Sequence, residues 1–469
     1  MKNRINKITL FTVAVLLLLT GASCKKSFFS DANKNPNAPD PDKVSPNALL
    51  PVVEASLAYT VGGELSRYAS LLTQQTSGYS NQAAAYYGYT FTTNDFDAVW
   101  GNLYTSVLLN NARIREISDA KGYNLYGGIS RVLTAYTLQL IVDNWGAAPY
   151  SQALKGDGNG KPSFDTGAGL YDTIQTLLNR AITLMSDPDP GAITPGADDF
   201  MYGGNADKWI KFAHALKARI YIHQSKGNAT MANNALAEIA LAFESAGDNA
   251  IFRFGTTPTT ANPVYQFNQQ RFDLDYASTT LAAALDADDD PRYNVWIEPD
   301  YTDENFVGMK PYYGSINSPV EFITYDELLF IKAEATLRSG GTIGAAQAAY
   351  QAGIRENMTK FTAMNISKYA LDSTWSITED QIDDYIAANG TLPGTTSAAI
   401  DQVAKEAFTA LYLNPEAWTL WRRTGVPELE AVSGDDVPRR LLYPQSEISN
   451  NGANTPSVTL FTPKIFWDN

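Results

Sequence analysis

Apolar positions recur along this chain with a helical period. Ile400, Val403, Ala404, Ala407, Phe408 and Leu411 fall at i, i+3, i+4, i+7, i+8 and i+11. Ile129, Val132, Leu133, Tyr136 and Leu140 follow the same rule, as do Trp209, Phe212, Ala213, Leu216 and Ile220. Side chains at that spacing line one side of an α-helix, so each segment predicts a helix with one buried stripe. No sustained two-residue alternation competes with them. The pattern predicts an all-α dominated fold whose helices pair with sequence neighbours, a helix-hairpin or tetratricopeptide-like arrangement, although no self-similar repeat of ~34 residues is present. Long stretches without this periodicity, at about 74–98, 147–168, 187–205, 253–276 and 291–322, predict loops that carry much of the chain's aromatic content. Loops of that length in a folded domain are usually functional.

The first 45 residues read differently. Lys2, Arg4 and Lys7 precede an apolar run from Ile8 to Leu19, which ends at Gly21, Ala22, Ser23 and Cys24. As a helix that run reaches only ~18 Å against a hydrocarbon core of ~30 Å, too short for a permanent span. A basic start, a short apolar run and small residues before a cysteine predict a lipoprotein signal peptide over 1–23 with Cys24 as the lipidation point. Cys24 is the one cysteine of the chain, so it has no disulfide partner within it. Residues 24–45, with Pro36, Pro39 and Pro41 and no apolar periodicity, predict a tether. Residues 46–469 then form the helical body.

Charge narrows the partners. The whole chain carries a net −15, and loss of the three basic residues within 1–23 takes it to −18. Nucleic-acid binding needs clustered Lys and Arg to release phosphate counterions, and no such stripe exists, so no nucleic-acid partner is expected. With His214 and His223 as the only histidines, structural zinc and Fe–S centres lack ligands. The two histidines are nine residues apart on a helix and face opposite sides, so no metal and no cofactor is expected.

Catalytic motifs fail on inspection. Gly156, Gly158, Gly160 and Lys161 suggest a phosphate loop, but Pro162 occupies the Ser/Thr position. Asp157 and Asn159 begin as a calcium loop does, yet Pro162 stands where the bend-forming Gly belongs and Ala168 where the closing Glu belongs. There is no G-x-S-x-G and no H-E-x-x-H. Asp286, Asp288, Asp289 and Asp290 could run glycoside hydrolysis as an acid and nucleophile pair. Adjacent carboxylates before Pro291 are better read as turn-formers and solvated charges, so no catalytic residue is assigned.

Several segments, in order, resemble the SusD/RagB family: NKNPNAP, WGNLY at 100–104, VDNWGAAPYSQAL at 142–154, KWIKFAHALKARIYIH at 208–223, DDPRY at 289–293, ITYDELLFIKAEATLRSGG at 323–341 and AAYQAGIRENM at 348–358. EAWTLWRRTGVPEL at 416–429, RRLLYPQSEISNNGAN at 439–454 and the closing FWDN are similar to that family's C-terminal part, in particular its SusD-like second subgroup. The resemblance implies a lipid-anchored surface protein of the Bacteroidetes outer membrane, built on tetratricopeptide-like helix pairs. It further implies a non-enzymatic binder of oligosaccharide or another nutrient, whose partner is a SusC-like TonB-dependent transporter. A peptide-binding surface protein and an extracellular glycoside hydrolase are the alternatives. Trp145, Trp209, Trp418, Trp421, Arg422 and Arg423 sit in the motifs and are read as holding the fold.

No family motif marks the ligand residues, so these follow from chemistry. A sugar offers C–H faces and a hydroxyl edge, which call for exposed rings beside amides, carboxylates or guanidinium groups. One cluster spans Gln74 to Asp97 and supplies Tyr79, Asn81, Tyr86, Tyr87 and Tyr89, with Gln82 among them. A second runs from Tyr265 to Tyr276 and supplies Phe272 and Tyr276, with Phe267 and Arg271 among them. The third is Tyr312 and Tyr313 with Asn317.

Overall fold

The computed structural model describes residues 44–155, 158–187, 193–298, 308–434 and 436–468. Cys24, Gly156, Asp157 and nearly all of the tether lie outside the described residues. Helices dominate. The first is α1 (Pro46–Thr60), which continues through a π-helical turn at Val61–Leu65 into α2 (Ser66–Leu72). After strand β1 (Ser77–Gly78) come α3 (Asn81–Tyr87), α4 (Leu109–Lys121), α5 (Asn124–Trp145), α6 (Gly167–Met185), α7 (Ala206–His223) and α8 (Ala229–Ile239). Strand β2 (Ala250–Phe252), α9 (Pro263–Gln270), strand β3 (Leu274–Asp275) and strand β4 (Val320–Ile323) lead to α10 (Tyr325–Arg338), α11 (Ile343–Thr359), α12 (Thr396–Ala410) and α13 (Glu416–Thr424).

Consecutive long helices pack as hairpins. α4 packs on α5, α5 on α6, α7 on α8 and α10 on α11, while α6 with α7 and α8 with α10 join the hairpins side by side. This is the tetratricopeptide-like arrangement. The α5–α6 contact is close because Gly128 has no side chain: a Cβ there would stand 2.2 Å from Met185 Cγ. One expectation needs correction. α5 is not buried along a single stripe; from Tyr126 to Trp145 nearly every residue is enclosed, polar Thr134, Thr137, Gln139 and Asp143 included. Helices pack on more than one side of it, so the i, i+3, i+4 pattern caught only its most apolar line.

Buried charges are cross-linked. Arg219 on α7 meets Glu327 on α10 at 2.6 Å, and Arg422 on α13 donates to the Asp143 carbonyl at 2.6 Å. Arg422 also lies 3.8 Å from the Trp418 ring centre. The indoles of Trp145, Trp209, Trp418 and Trp421 are buried, and each donates its N–H to an acceptor. A buried Trp or Arg without such a partner would cost stability, so these residues tie the helices together.

Two small antiparallel sheets sit against the helices. β1 pairs with β3 in the register Ser77 with Asp275 and Gly78 with Leu274. β2 pairs with β4, with an irregularity between Ala250 and Ile251. The first sheet joins the segments expected to be loops at 74–98 and 253–276. Both hold short helices, α3 and α9, rather than being structureless.

Candidate functional site

A groove of about 670 Å3 opens between the α1–α2 segment and α9. Local sequence makes it. Asn262 caps α9, its side-chain oxygen accepting from Val264 and Tyr265 N–H, and Pro263 sets the first turn. Across from it, the π-helical turn carries Gly62 and Gly63. A Cβ on Gly62 would stand 2.3 Å from Val320 Cγ2, and one on Gly63 would stand 3.3 Å from the Pro263 Cβ. Two glycines therefore let the turn sit against both β4 and α9. Single π-turns of this kind are frequent at functional sites.

The groove wall alternates aromatic and polar groups. The Arg67 guanidinium carbon lies 4.3 Å from the Phe267 ring centre, and that of Arg271 lies 5.9 Å from the same ring. Gln82 faces Arg271 at 3.5 Å, and Tyr59, half exposed, donates its hydroxyl to Gln266 Oε1 at 3.3 Å. Glu64 lies 3.9 Å from Arg67; burial lifts its carboxyl above the usual range and Arg67 opposes that rise. Arg67 Nε is buried with no hydrogen-bond partner among the described residues, a donor in the groove wall. A pocket of several hundred Å3 with a ring and convergent polar groups suits a small organic ligand.

The sequence-derived residues divide. Gln82, Phe267 and Arg271, from two separate clusters, meet in this groove. Tyr79 and Phe272 are 61% and 62% exposed on the β1–β3 unit beside it, where the Tyr79 N–H donates to the Asp273 carbonyl at 3.1 Å and Phe272 follows Arg271. Asn81, although exposed, spends its amide on the Asp273 carboxylate at 2.8 Å. Tyr87 is half-buried.

Four of the tyrosines are corrected to core. Tyr86 is 2% exposed, stacks on Phe91 at 4.4 Å and donates to Asp95 Oδ1 at 2.8 Å. Tyr89 is buried and its hydroxyl accepts from Val432 N–H. Tyr276 is enclosed and donates to Asn268 at 2.9 Å, and Tyr312 is enclosed and donates to Glu321 at 3.0 Å. With both faces covered and the hydroxyl satisfied, such a ring cannot serve as a platform. Tyr313 is half-buried in a ring cluster with Trp296 and Tyr412. The sequence pattern does not single out Tyr59, Arg67 and Gln266: Tyr59 and Arg67 lie on the helical α1–α2 segment, and Gln266 is one amide among neighbouring rings. The Gly62-Gly63 pair was the available signal.

Two charged clusters are structural. Asp290 is 3% exposed and, with Glu406, closes on Arg292 at 2.6 and 2.5 Å, which corrects its reading as a solvated charge. Asp288 pairs with Lys405 at 2.7 Å. Asp143, His223 and Glu416 bring possible metal-ligand atoms within 4.8 Å of one another. Yet His223 bonds Tyr171 at 2.8 Å and Glu416 at 2.6 Å, and Asp143 accepts from Tyr171, Gln139 and Trp467. Burial alone would raise the Glu416 carboxyl, but His223 and Arg219 hold it below its usual value. Every ligand atom is already engaged and Arg219 stands 3.8 Å from Glu416, so a cation would have to displace donors beside a fixed positive charge.

Comparison with known proteins completes the site. A family model named SusD-like and described as starch-binding and associating with the outer membrane matches residues 36–444. A SusD/RagB family protein from Bacteroides thetaiotaomicron superposes with a TM-score of 0.73 at 24% identity, covering 91% of this chain and 99% of that one. A chitin-binding SusD homologue from Flavobacterium johnsoniae superposes with a TM-score of 0.71 at 17% identity, covering 90% and 97%. A SusD-like protein designated Bacteroidetes AC2a gives 0.75 at 19% identity, covering 91% and 100%. No curated protein matches the chain.

Proposed function

Because the chain belongs to the SusD-like family, we propose that it is a cell-surface nutrient-binding lipoprotein that captures an oligosaccharide in the α1–α2/α9 groove. The observation that carries this reading is the half-buried Phe267 in the groove wall, with the guanidinium carbons of Arg67 and Arg271 4.3 and 5.9 Å from its ring centre and Gln82 and Gln266 in the same lining. A ring offers a face for sugar C–H groups, and amides and guanidinium groups bond the hydroxyl edge. Tyr79 and Phe272, largely exposed at the two ends joined by the β1–β3 pairing, are further candidate platforms. Chitin binding by the Flavobacterium homologue supports a carbohydrate ligand.

On this reading the protein binds its ligand without turning it over; in the acidic cluster at 286–290, Asp290 is held by buried Arg292 and Asp288 pairs with Lys405. No helix among the described residues is long and apolar enough to cross a membrane. Acyl chains on Cys24 would hold the protein at the outer membrane, and residues 24–45 would tether the body. A tethered binder cannot move its ligand inward, so a SusC-like TonB-dependent transporter is the partner, kept near by the tether's high effective concentration. Calorimetric titration with neutral oligosaccharides tests the ligand. Recovery of a large β-barrel protein from solubilised outer membranes tests the partner, and Cys24→Ser, expected to release soluble protein, tests the anchor.

A further inference from the structure

A second cavity, of about 270 Å3, lies away from the groove residues, between the start of α7, the β2–β4 sheet and the segment that follows α11. Its lining is basic in a strongly acidic chain. Arg253, Lys208 and Lys368 contribute three cationic side chains, and none makes an ion pair among the described residues. The Arg253 guanidinium carbon lies 4.8 Å from the Tyr369 ring centre and its N–H groups have no hydrogen-bond acceptor among the described residues. Lys368 meets only the Asn365 side-chain oxygen, at 2.5 Å, and Lys208 stands 5.9 Å from the Tyr202 ring.

The cavity's own carboxylates do not neutralise these cations. Glu321 is taken by Lys360 at 2.9 Å and by the Tyr312 hydroxyl. Glu356, the remaining acid of the lining, is half-buried and pairs with none of the three cations among the described residues. The Tyr369 ring, 4.8 Å from the guanidinium carbon, supports the exposed Arg253 side chain, whose fork suits bidentate contact with an oxyanion. At ~30 Å3 per water, the volume corresponds to roughly nine waters, room for one sugar unit.

We propose that this cavity is a separate binding site for a sugar unit carrying an oxyanion, a uronate carboxylate or a sulfate ester, with Arg253, Lys208 and Lys368 as its anion contacts. The site is independent of the groove, so each reading can fail without the other. Glucuronate, galacturonate, glucose 6-sulfate, glucose and inorganic sulfate are titrated into the whole protein by calorimetry, at low and at raised salt. Saturable binding of a uronate or the sulfated sugar, at least tenfold tighter than glucose and weakened by salt, is expected; which of them binds tells carboxylate from sulfate ester. Arg253→Gln with Lys368→Gln should reduce that affinity at least tenfold, and Lys208→Gln should reduce it on its own. Melting temperature and the groove's binding of neutral oligosaccharide should stay unchanged. Equal affinity for glucose and the charged sugars, unaltered binding by the variants, or inorganic sulfate binding as tightly as the sulfated sugar would each overturn the assignment.

Discussion

The guanidinium of Arg67 on α2 is placed over the ring of Phe267 on α9, 4.3 Å from its centre, across the mouth of the groove. That contact preorganises a charged donor beside an apolar face, so both are in position before a ligand arrives. Removing either should weaken ligand binding while the protein still folds. Phe267→Ala and Arg67→Gln should each cost about 1–3 kcal/mol of affinity, a loss of roughly fivefold to 150-fold by calorimetry.

Tyrosines close together in sequence should separate by mutation. Tyr86 is stacked on Phe91 and bonded to Asp95 Oδ1, so Tyr86→Ala leaves a cavity and removes the donor to that oxygen, costing about 3–5 kcal/mol in denaturant unfolding. Tyr79 and Phe272 are largely exposed. Tyr79→Ala and Phe272→Ala should hold stability within about 0.5 kcal/mol while lowering affinity.

Acid should act through Glu334. Its burial would raise the carboxyl, but Arg423 and Arg338 outweigh that and hold it at about 2. Because the folded value is depressed below the unfolded one, the stabilisation is complete above the unfolded pKa of ~4.5 and is lost as pH falls toward 2. The contribution is on the order of 3 kcal/mol. Unfolding curves between pH 6 and 2, roughly that window, should fall steeply for the wild type. Glu334→Gln should lower stability at neutral pH and flatten that slope.

The Asp143–His223–Glu416 cluster should behave as a hydrogen-bond network. Zinc and chelator should both leave the melting temperature unmoved, while His223→Leu, which removes the donor to Glu416 Oε1 and one partner of the Tyr171 hydroxyl, should lower it by several degrees. A zinc-dependent rise in melting temperature would contradict this reading.

The helix pairs were legible in the sequence because burial imposes a period on apolar residues, as at Trp209, Phe212 and Leu216. The sites of interaction were less so. Tyr86 and Tyr79 are the same residue type seven positions apart, and what separates them is that α3 turns Tyr86 toward Tyr68 and Phe91. Sequence placed Gln82, Phe267 and Arg271 in two aromatic-rich stretches but not in one groove, because their meeting depends on the pairing of β1 with β3. Arg67 was hidden for a related reason. It lies among the core residues of α2, and only the approach of α9 through Gly63 gives it a ring to cover.

Calorimetric titration of the intact protein with starch- and chitin-derived oligosaccharides, alongside Phe267→Ala and a peptide panel, tests the account most directly. It predicts saturable binding of at least one neutral oligosaccharide, lost or weakened at least tenfold in a Phe267→Ala protein that still unfolds cooperatively. Binding of peptides alone, or oligosaccharide affinity that Phe267→Ala leaves intact, would contradict it.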